Sequence, residues 1–266
     1  MEKKKMKTGG KVAIGILLLV LIVPFTVFLF WVGCNSYTDK AVGDFNVRLY
    51  WNYCSIIGTT EQGNNQRFLV IPKEIEGKQV RHLGVENNNF IYGSLKITRP
   101  EIESNTIERV YFEGELSAYP ASFHYTRTPN VSKVMFVGGE AHFLNRSSGR
   151  RIHLPREVFA NDGGNQDLQT WFHTVPANVS YYYNYDKAEN DGYYWIDDYD
   201  YGSKIEYTPK EPIRKGYTFG GWYKETDCIN EWDFANDTLP EKEIDENEDE
   251  NVYYYQETIL YAKWTR

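Results

Sequence analysis

The sequence has little of the chemistry that most enzymes and metalloproteins need. Its 266 residues include three cysteines and five histidines, and the histidines are scattered singly. HExxH, CxxC and GxSxG motifs and phosphate-binding glycine loops are all absent from it. We therefore predict no catalytic residue, no cofactor and no metal site. Three cysteines are also too few for a disulfide framework, and the sequence leaves open whether Cys54 and Cys228 are free.

A net positive charge is confined to one short segment. The net charge is −8, yet residues 1–11 hold five lysines against one glutamate, so the remainder carries −12. Nucleic-acid binding needs a basic face to neutralise phosphates. The acidic body therefore excludes nucleic acid as a partner.

One long apolar run follows the basic segment. Residues 12–32 are 21 uncharged residues, and about 20 are needed for a helix to cross a bilayer. The preceding lysines predict a cytoplasmic N-terminus and an extracellular body after Cys34, as in a single-pass protein of the cell membrane. A cleaved signal peptide and a lipoprotein signal ending at Cys34 remain open, and either would also export the body.

The body is rich in aromatic residues. They make up 16% of the chain, with 22 tyrosines, and aromatic residues favour strands. We predict a mainly β protein in three parts. Residues 1–34 form the basic tail and transmembrane anchor, residues 35–177 a repeat-like domain with an N-terminal cap, and residues 178–266 a small β module.

Short apolar segments recur through the middle part. Their starting points lie 26, 15, 24 and 18 residues apart, and their sequences are FLVIP (68–72), SLKIT (94–98), RVYFE (109–113), KVMFV (133–137) and RIHLP (151–155). β-branched and aromatic segments of this length predict strands. Strands returning at such intervals indicate stacked coils of a β solenoid, because one coil cannot bury its apolar face alone. An irregular β sandwich is the alternative.

The segment IPKEIEGKQVRHLG resembles a BspA-type leucine-rich repeat. The matching positions are Ile71-Pro72, Ile75, Val80 and Leu83-Gly84, with a partial second match at residues 154–159. The repeat period varies and the intervening coils depart from the family pattern. The resemblance implies a short, irregular right-handed solenoid with one flat face lined by strands.

The last part contains KGYTFGGWYKETDCINEWDF, with six aromatic residues and three glycines at 215–234. A β module under 90 residues buries a small fraction of its surface, and large aromatic side chains compensate. We predict that the aromatic side chains of this stretch form the core of the module, with Gly220 or Gly221 at positive φ. An exposed sugar-stacking platform is the alternative.

This module resembles the internalin B-repeat family, also called the Listeria–Bacteroides repeat. The resemblance rests on Pro212, residues 216–223 (GYTFGGWY), Cys228, residues 232–234 (WDF) and residues 260–264 (LYAKW). It implies a β-grasp-like sheet on an exported bacterial surface protein, often beside leucine-rich repeats.

Together these features predict a non-enzymatic, membrane-anchored surface protein of a Gram-positive bacterium that binds or presents a protein or glycan partner. One alternative is an extracellular glycan-acting enzyme using Asp197 and Asp198, since glycosidases use two carboxylates. Another is a passive stalk. Exposed aromatic residues and arginines usually dominate binding energy, and the candidates of this kind are Tyr119, Phe123, Tyr125, Arg150 and Arg151.

Overall fold

The computed structural model describes residues 36–89, 94–118, 122–123, 126–138, 141–144, 149–152, 157–161, 172–244 and 253–266. The elements are β1 (Thr38–Val42), β2 (Phe45–Leu49), β3 (Tyr53–Thr59), α1 (Glu61–Asn64), β4 (Phe68–Ile71), β5 (Glu74–Ile75), β6 (Lys78–Leu83), β7 (Val85–Asn89), β8 (Ser94–Thr98), β9 (Arg109–Phe112), β10 (Leu116–Ala118), β11 (Lys133–Phe136), β12 (Ala141–Leu144), β13 (Gly149–Ile152), β14 (Glu157–Asn161), β15 (Phe172–Pro176), β16 (Val179–Tyr182), a 3-10 turn (Asn190–Gly192), β17 (Tyr193–Asp197), β18 (Thr218–Tyr223) and β19 (Thr258–Thr265). The protein is therefore mainly β, as predicted.

Most of the strands lie in three sheets. The first sheet has the order β1-β2-β3-β6-β10-β12-β13, with β5 also paired to β6, and the second has the order β15-β14-β11-β9-β4. The C-terminal sheet has the order β17-β16-β19-β18, and β7 and β8 form a separate antiparallel pair. We call the part up to β15 the N-terminal module and the part from residue 178 the C-terminal module.

The second sheet is buried on both faces. In β9, Val110, Tyr111 and Phe112 are all 0% exposed. Because side chains alternate across a strand, Val110 and Phe112 join the core shared with the first sheet, whereas Tyr111 joins the core shared with the C-terminal sheet. Met135 in β11 also faces the C-terminal sheet. The second sheet is thus the middle layer of three.

The predicted solenoid is wrong, because the described strands form no closed solenoid. Three of the five predicted segments do pair in parallel as β4, β9 and β11. The segment at 94–98 instead forms β8, which pairs antiparallel with β7. The described part of 151–155 belongs to β13, which pairs antiparallel with β12. A solenoid needs each coil to return its strand parallel to the last, and these hairpins reverse the chain instead.

The predicted transmembrane anchor also needs correction. Across the described residues no helix is long and apolar enough to cross a membrane, and α1 has 4 residues. The segment on which the prediction was based, residues 12–32, lies outside the described residues, as does Cys34. The single-pass topology and the localisation derived from it are therefore withdrawn.

The core interpretation of residues 215–234 is confirmed. Trp222 and Trp232 are 3% and 7% exposed, and the Trp222 ring contacts those of Tyr181 and Phe219 at centroid distances of 4.9 and 5.2 Å. Gly221 has φ +104°, as expected for a glycine beside a bulge. The aromatic residues therefore hold the C-terminal sheet together.

Both described cysteines are free thiols. Cys54 is buried in β3 of the first sheet, whereas Cys228 is half-buried in the C-terminal module. Burial raises the pKa of the Cys54 thiol to about 11. This thiol is therefore protonated at neutral pH.

Gly84 allows the close approach of two chain segments after β6. Its φ is +122°, and a Cβ at this position would lie 2.1 Å from the Thr98 carbonyl oxygen. We expect Gly84→Ala to destabilise the protein by more than about 1 kcal/mol, because positive φ and a backbone clash both oppose the methyl group. Gly43→Ala is the matched control, since Gly43 has φ +56° but no atom within 4 Å of a built Cβ. Equal melting temperatures for the two variants would contradict the steric argument.

A lysine and a backbone amide hold the Asp237 carboxylate in the C-terminal module. Lys224 Nζ lies 2.9 Å from Asp237 Oδ2, and the Asp233 amide donates to the same oxygen at 2.8 Å. These interactions, led by the hydrogen bond from Lys224, hold the pKa of Asp237 below its usual 3.8. A carboxyl group with a lowered folded-state pKa stabilises the protein above its unfolded pKa and loses this contribution as the pH falls.

We therefore expect Asp237→Asn to lower the melting temperature at pH 6 and to lower it less at pH 3. Thermal unfolding of both proteins at each pH measures the difference. The same deficit at the two pH values would show that the ionised carboxylate contributes nothing.

Candidate functional site

The two carboxylates proposed for an enzyme lie at the end of β17, against the second sheet. The Asp197 side chain is 1% exposed. Its Oδ1 accepts hydrogen bonds from Arg109 at 2.7 Å and from the Asp198 amide at 2.8 Å, and its Oδ2 accepts one from the Tyr111 hydroxyl at 2.7 Å. Both oxygens are therefore engaged, and protein covers the carboxylate.

The Asp198 carboxylate has a different partner. Lys133 Nζ lies 2.7 Å from Asp198 Oδ2 and also donates to the Asp198 carbonyl oxygen at 2.7 Å. Arg109 and Lys133 are register partners at the starts of β9 and β11. Two neighbouring cations of the N-terminal module therefore bind two successive aspartates of the C-terminal module.

The electrostatics match a structural ion pair. Burial raises the pKa of Asp197, and the charge of Arg109 opposes that shift. Burial, with Asp197 nearby, raises the pKa of Tyr111 far above its usual value, so the hydroxyl stays a donor. A glycosidase needs two carboxyl groups that flank an open bond-cleavage site. The Asp197 carboxylate is instead buried and inaccessible to a substrate. We call Arg109, Tyr111 and Asp197 the docking triad.

Aromatic rings extend the contact beside the docking triad. The Tyr111 ring stacks on Tyr207 at 4.9 Å and lies 4.9 Å from Trp195, and Phe68 lies 5.5 Å from Tyr207. The Arg109 guanidinium lies 4.1 Å from the centroid of the Tyr199 ring. Buried aromatic pairs and cation–π contacts of this kind stabilise packed layers. The two modules are therefore joined by a largely aromatic interface.

A cleft of about 360 Å³ opens at the other end of this interface. One wall follows the carboxyl ends of the parallel strands β4, β9 and β11 and contains Lys73, Glu113 and residues 137–138. The opposite wall belongs to the C-terminal module and contains Tyr183, Glu189, Asn190, Tyr194, Trp195 and residues 210–213. We call this space the intermodule cleft, because neither module forms it alone.

Two glycines bring the strand ends together on the first wall. A Cβ on Gly138 would lie 2.2 Å from the Glu113 carbonyl oxygen, and one on Gly114 would lie 2.7 Å from Lys73 Cβ. The turns after the three strands therefore stack closely. This stacking places Lys73 and Glu113 on the same wall.

Some polar groups of the cleft are satisfied and others are not. The Tyr183 hydroxyl donates to Glu189 at 2.8 Å, and the Tyr194 hydroxyl donates to the Lys210 carbonyl oxygen at 2.6 Å. Burial and the nearby Glu113 carboxylate raise the pKa of Tyr194. Trp195 is 3% exposed, and its Nε1 has no hydrogen-bond partner among the described residues.

The structure describes the side chain of one of the five other residues predicted to contact a ligand. Phe123 is 0% exposed in the core between the first two sheets, so its prediction as an exposed contact is wrong. Tyr119 and Tyr125 lie outside the described residues, and Arg150 and Arg151 are described as backbone positions of β13. Exposure of these four side chains stays a prediction.

Sequence reasoning missed Arg109, Tyr111 and the cleft. The segment RVYF predicts a strand, and in the structure both faces of this strand are buried. An uninterrupted apolar run is typical of a strand covered on both faces. That signal in RVYF and KVMF would have indicated a third layer.

The geometry defines a protein of three β layers whose two modules enclose a polar cleft. Residues 178–263 match the family model for the Listeria-Bacteroides repeat domain. The match confirms the family predicted for the C-terminal module, and this repeat family is associated with the cell surface. The leucine-rich-repeat resemblance of the N-terminal module stays a prediction.

Proposed function

We propose that this protein is a non-enzymatic binding protein of the cell surface and that its ligand occupies the intermodule cleft. The observation that carries the proposal is the cleft itself, which both modules build. Trp195 lines it, and the buried Nε1 of this residue has no hydrogen-bond partner among the described residues. Ligand sites are concave and concentrate at domain interfaces, with a few convergent polar groups. The match of residues 178–263 to a surface-associated repeat adds support.

The burial of Asp197 favours binding over glycan hydrolysis. An acid or nucleophile must reach the substrate, and the Asp197 side chain is 1% exposed with both oxygens hydrogen-bonded. A substrate that reached this carboxylate would have to displace Arg109 and Tyr111. The docking triad therefore serves to hold the cleft walls in place.

Binding of the purified full chain to a glycan array, mucin and matrix proteins tests the proposal. We expect retention of at least one ligand, loss of retention in the double variant Lys73→Ala and Glu113→Gln, and no release of reducing sugar. Asp227→Asn is the control, since Asp227 is exposed and does not line the cleft. Release of reducing sugar would overturn the non-enzymatic assignment, and no retention at all would favour a passive stalk.

A further inference from the structure

We propose that the intermodule cleft binds an uncharged saccharide of one or two sugar residues. This inference rests on the proposed function and names its ligand class. The cleft of about 360 Å³ falls within the range typical of small-ligand sites, at its lower end. The mixture of hydrogen-bond donors, acceptors and apolar surface in the cleft indicates the chemical class of the ligand.

Among the described residues, three with carboxylates and two with ammonium groups line the cleft. Glu113, Glu189 and Glu211 line the cleft together with Lys73 and Lys210. Among the described residues, no ion pair engages Glu113 or Lys73. Carboxylates accept hydrogen bonds and ammonium groups donate them. A ligand that bears hydroxyl groups can satisfy both, because each hydroxyl donates and accepts.

The indole of Trp195 requires an acceptor. Its Nε1–H can only donate, and this buried atom has no partner among the described residues. A buried donor without an acceptor costs about 1–3 kcal/mol. Nε1 is closed to solvent in the structure, and in this proposal a sugar hydroxyl or an acetamido carbonyl oxygen supplies the missing acceptor once ligand binding uncovers it.

Apolar surface completes the cleft. Val137, Pro212 and Ile213 line it alongside the charged groups, and Ile213 is 90% exposed. Such a combination matches a sugar ring, which presents C–H faces between its hydroxyl groups. Among the described lining residues carboxylates outnumber ammonium groups, which disfavours an anionic ligand because like charges repel. Neutral hexose and N-acetylhexosamine oligomers fit, whereas uronic acid oligomers do not.

Calorimetric titration of the full chain with neutral glucose oligomers, N-acetylglucosamine oligomers and oligogalacturonate tests the assignment. We expect saturable binding of at least one neutral series and weaker binding of the anionic one. Glu113→Gln should weaken the neutral ligand by about 10- to 100-fold, since a hydrogen bond to a charged group is lost. Trp195→Phe should weaken it by about 3- to 10-fold, since one donor is lost.

Trp232→Phe is the matched control for Trp195→Phe. Trp232 is also buried, and its Nε1 likewise has no partner among the described residues, but it does not line the cleft. Thermal unfolding of both variants shows whether each is folded before affinities are compared. Equal affinity in Trp195→Phe, Trp232→Phe and the unsubstituted protein would overturn the role of Trp195.

The outcomes separate this inference from the proposed function. Saccharide binding that Glu113→Gln and Trp195→Phe leave unchanged would place the sugar elsewhere and overturn the inference. A protein ligand lost from the double variant Lys73→Ala and Glu113→Gln, with no saccharide bound, would overturn the inference and leave the proposed function standing. Absence of any ligand at the cleft would overturn both.

Discussion

We expect Asp197→Asn to lower the free energy of unfolding by about 3–5 kcal/mol, the cost of breaking a buried ion pair by removing one partner. The change leaves the Arg109 guanidinium, whose side chain is 12% exposed, without the carboxylate it contacts at 2.7 Å. The Tyr111 hydroxyl also loses its charged acceptor. Denaturant unfolding followed by tryptophan fluorescence measures the loss, because Trp195 packs against Tyr111.

Asp200→Asn is the control for this prediction. Asp200 is exposed, and its carboxylate makes no hydrogen bond among the described residues, so we expect a change within about 0.5 kcal/mol. The triple variant Arg109→Met, Tyr111→Phe and Asp197→Leu should recover most of the stability, since an apolar set replaces the whole polar group. If Asp197→Asn and Asp200→Asn change the free energy of unfolding equally, Asp197 does not form a buried ion pair.

We expect Trp222→Ala to lower the free energy of unfolding by about 3–5 kcal/mol, as large-to-small core substitutions at aromatic residues do. Trp222 is 3% exposed and packs against Tyr181, Tyr194 and Phe219. Removing the indole opens a cavity that these rings cannot fill without leaving their rotamers. Denaturant unfolding again gives the free energy.

Trp51→Ala removes the same side chain from an exposed position. Trp51 is 61% exposed between β2 and β3, so its loss should change the free energy of unfolding by about 0.5 kcal/mol or less. A similar loss in both variants would mean that the Trp222 ring is not the centre of the C-terminal core.

The corrections to the predicted fold concern which strands pair with one another. The segments FLVI, RVYF and KVMF were identified correctly as strands, but so was SLKIT, which pairs antiparallel with β7 instead of joining them. Strand formation depends on local side-chain pattern, whereas the choice of partner depends on which apolar faces remain uncovered. The predicted irregular solenoid therefore combined correct strand predictions with an incorrect choice of pairing partners.

The same limit applies to the candidate site. Asp197 and Asp198 are adjacent carboxylates beside aromatic residues, a pattern that the local sequence shows directly. Arg109 is 88 positions from Asp197, and no local pattern links them. The cleft likewise combines Glu113 with Tyr194, which meet because β17 packs across the second sheet.

The amino-acid sequence alone predicted that this protein is mainly β, that Trp222 and Trp232 pack inward and that the C-terminal module, of which residues 178–263 match the family model, resembles a surface-associated repeat. These properties follow from side-chain alternation, composition and motif order, which are local. The tertiary structure decided that the second sheet is a middle layer, that Asp197 is buried and that a polar cleft lies between the modules. These properties depend on long-range packing, because a buried charge is stable where a distant residue brings the opposite charge to it.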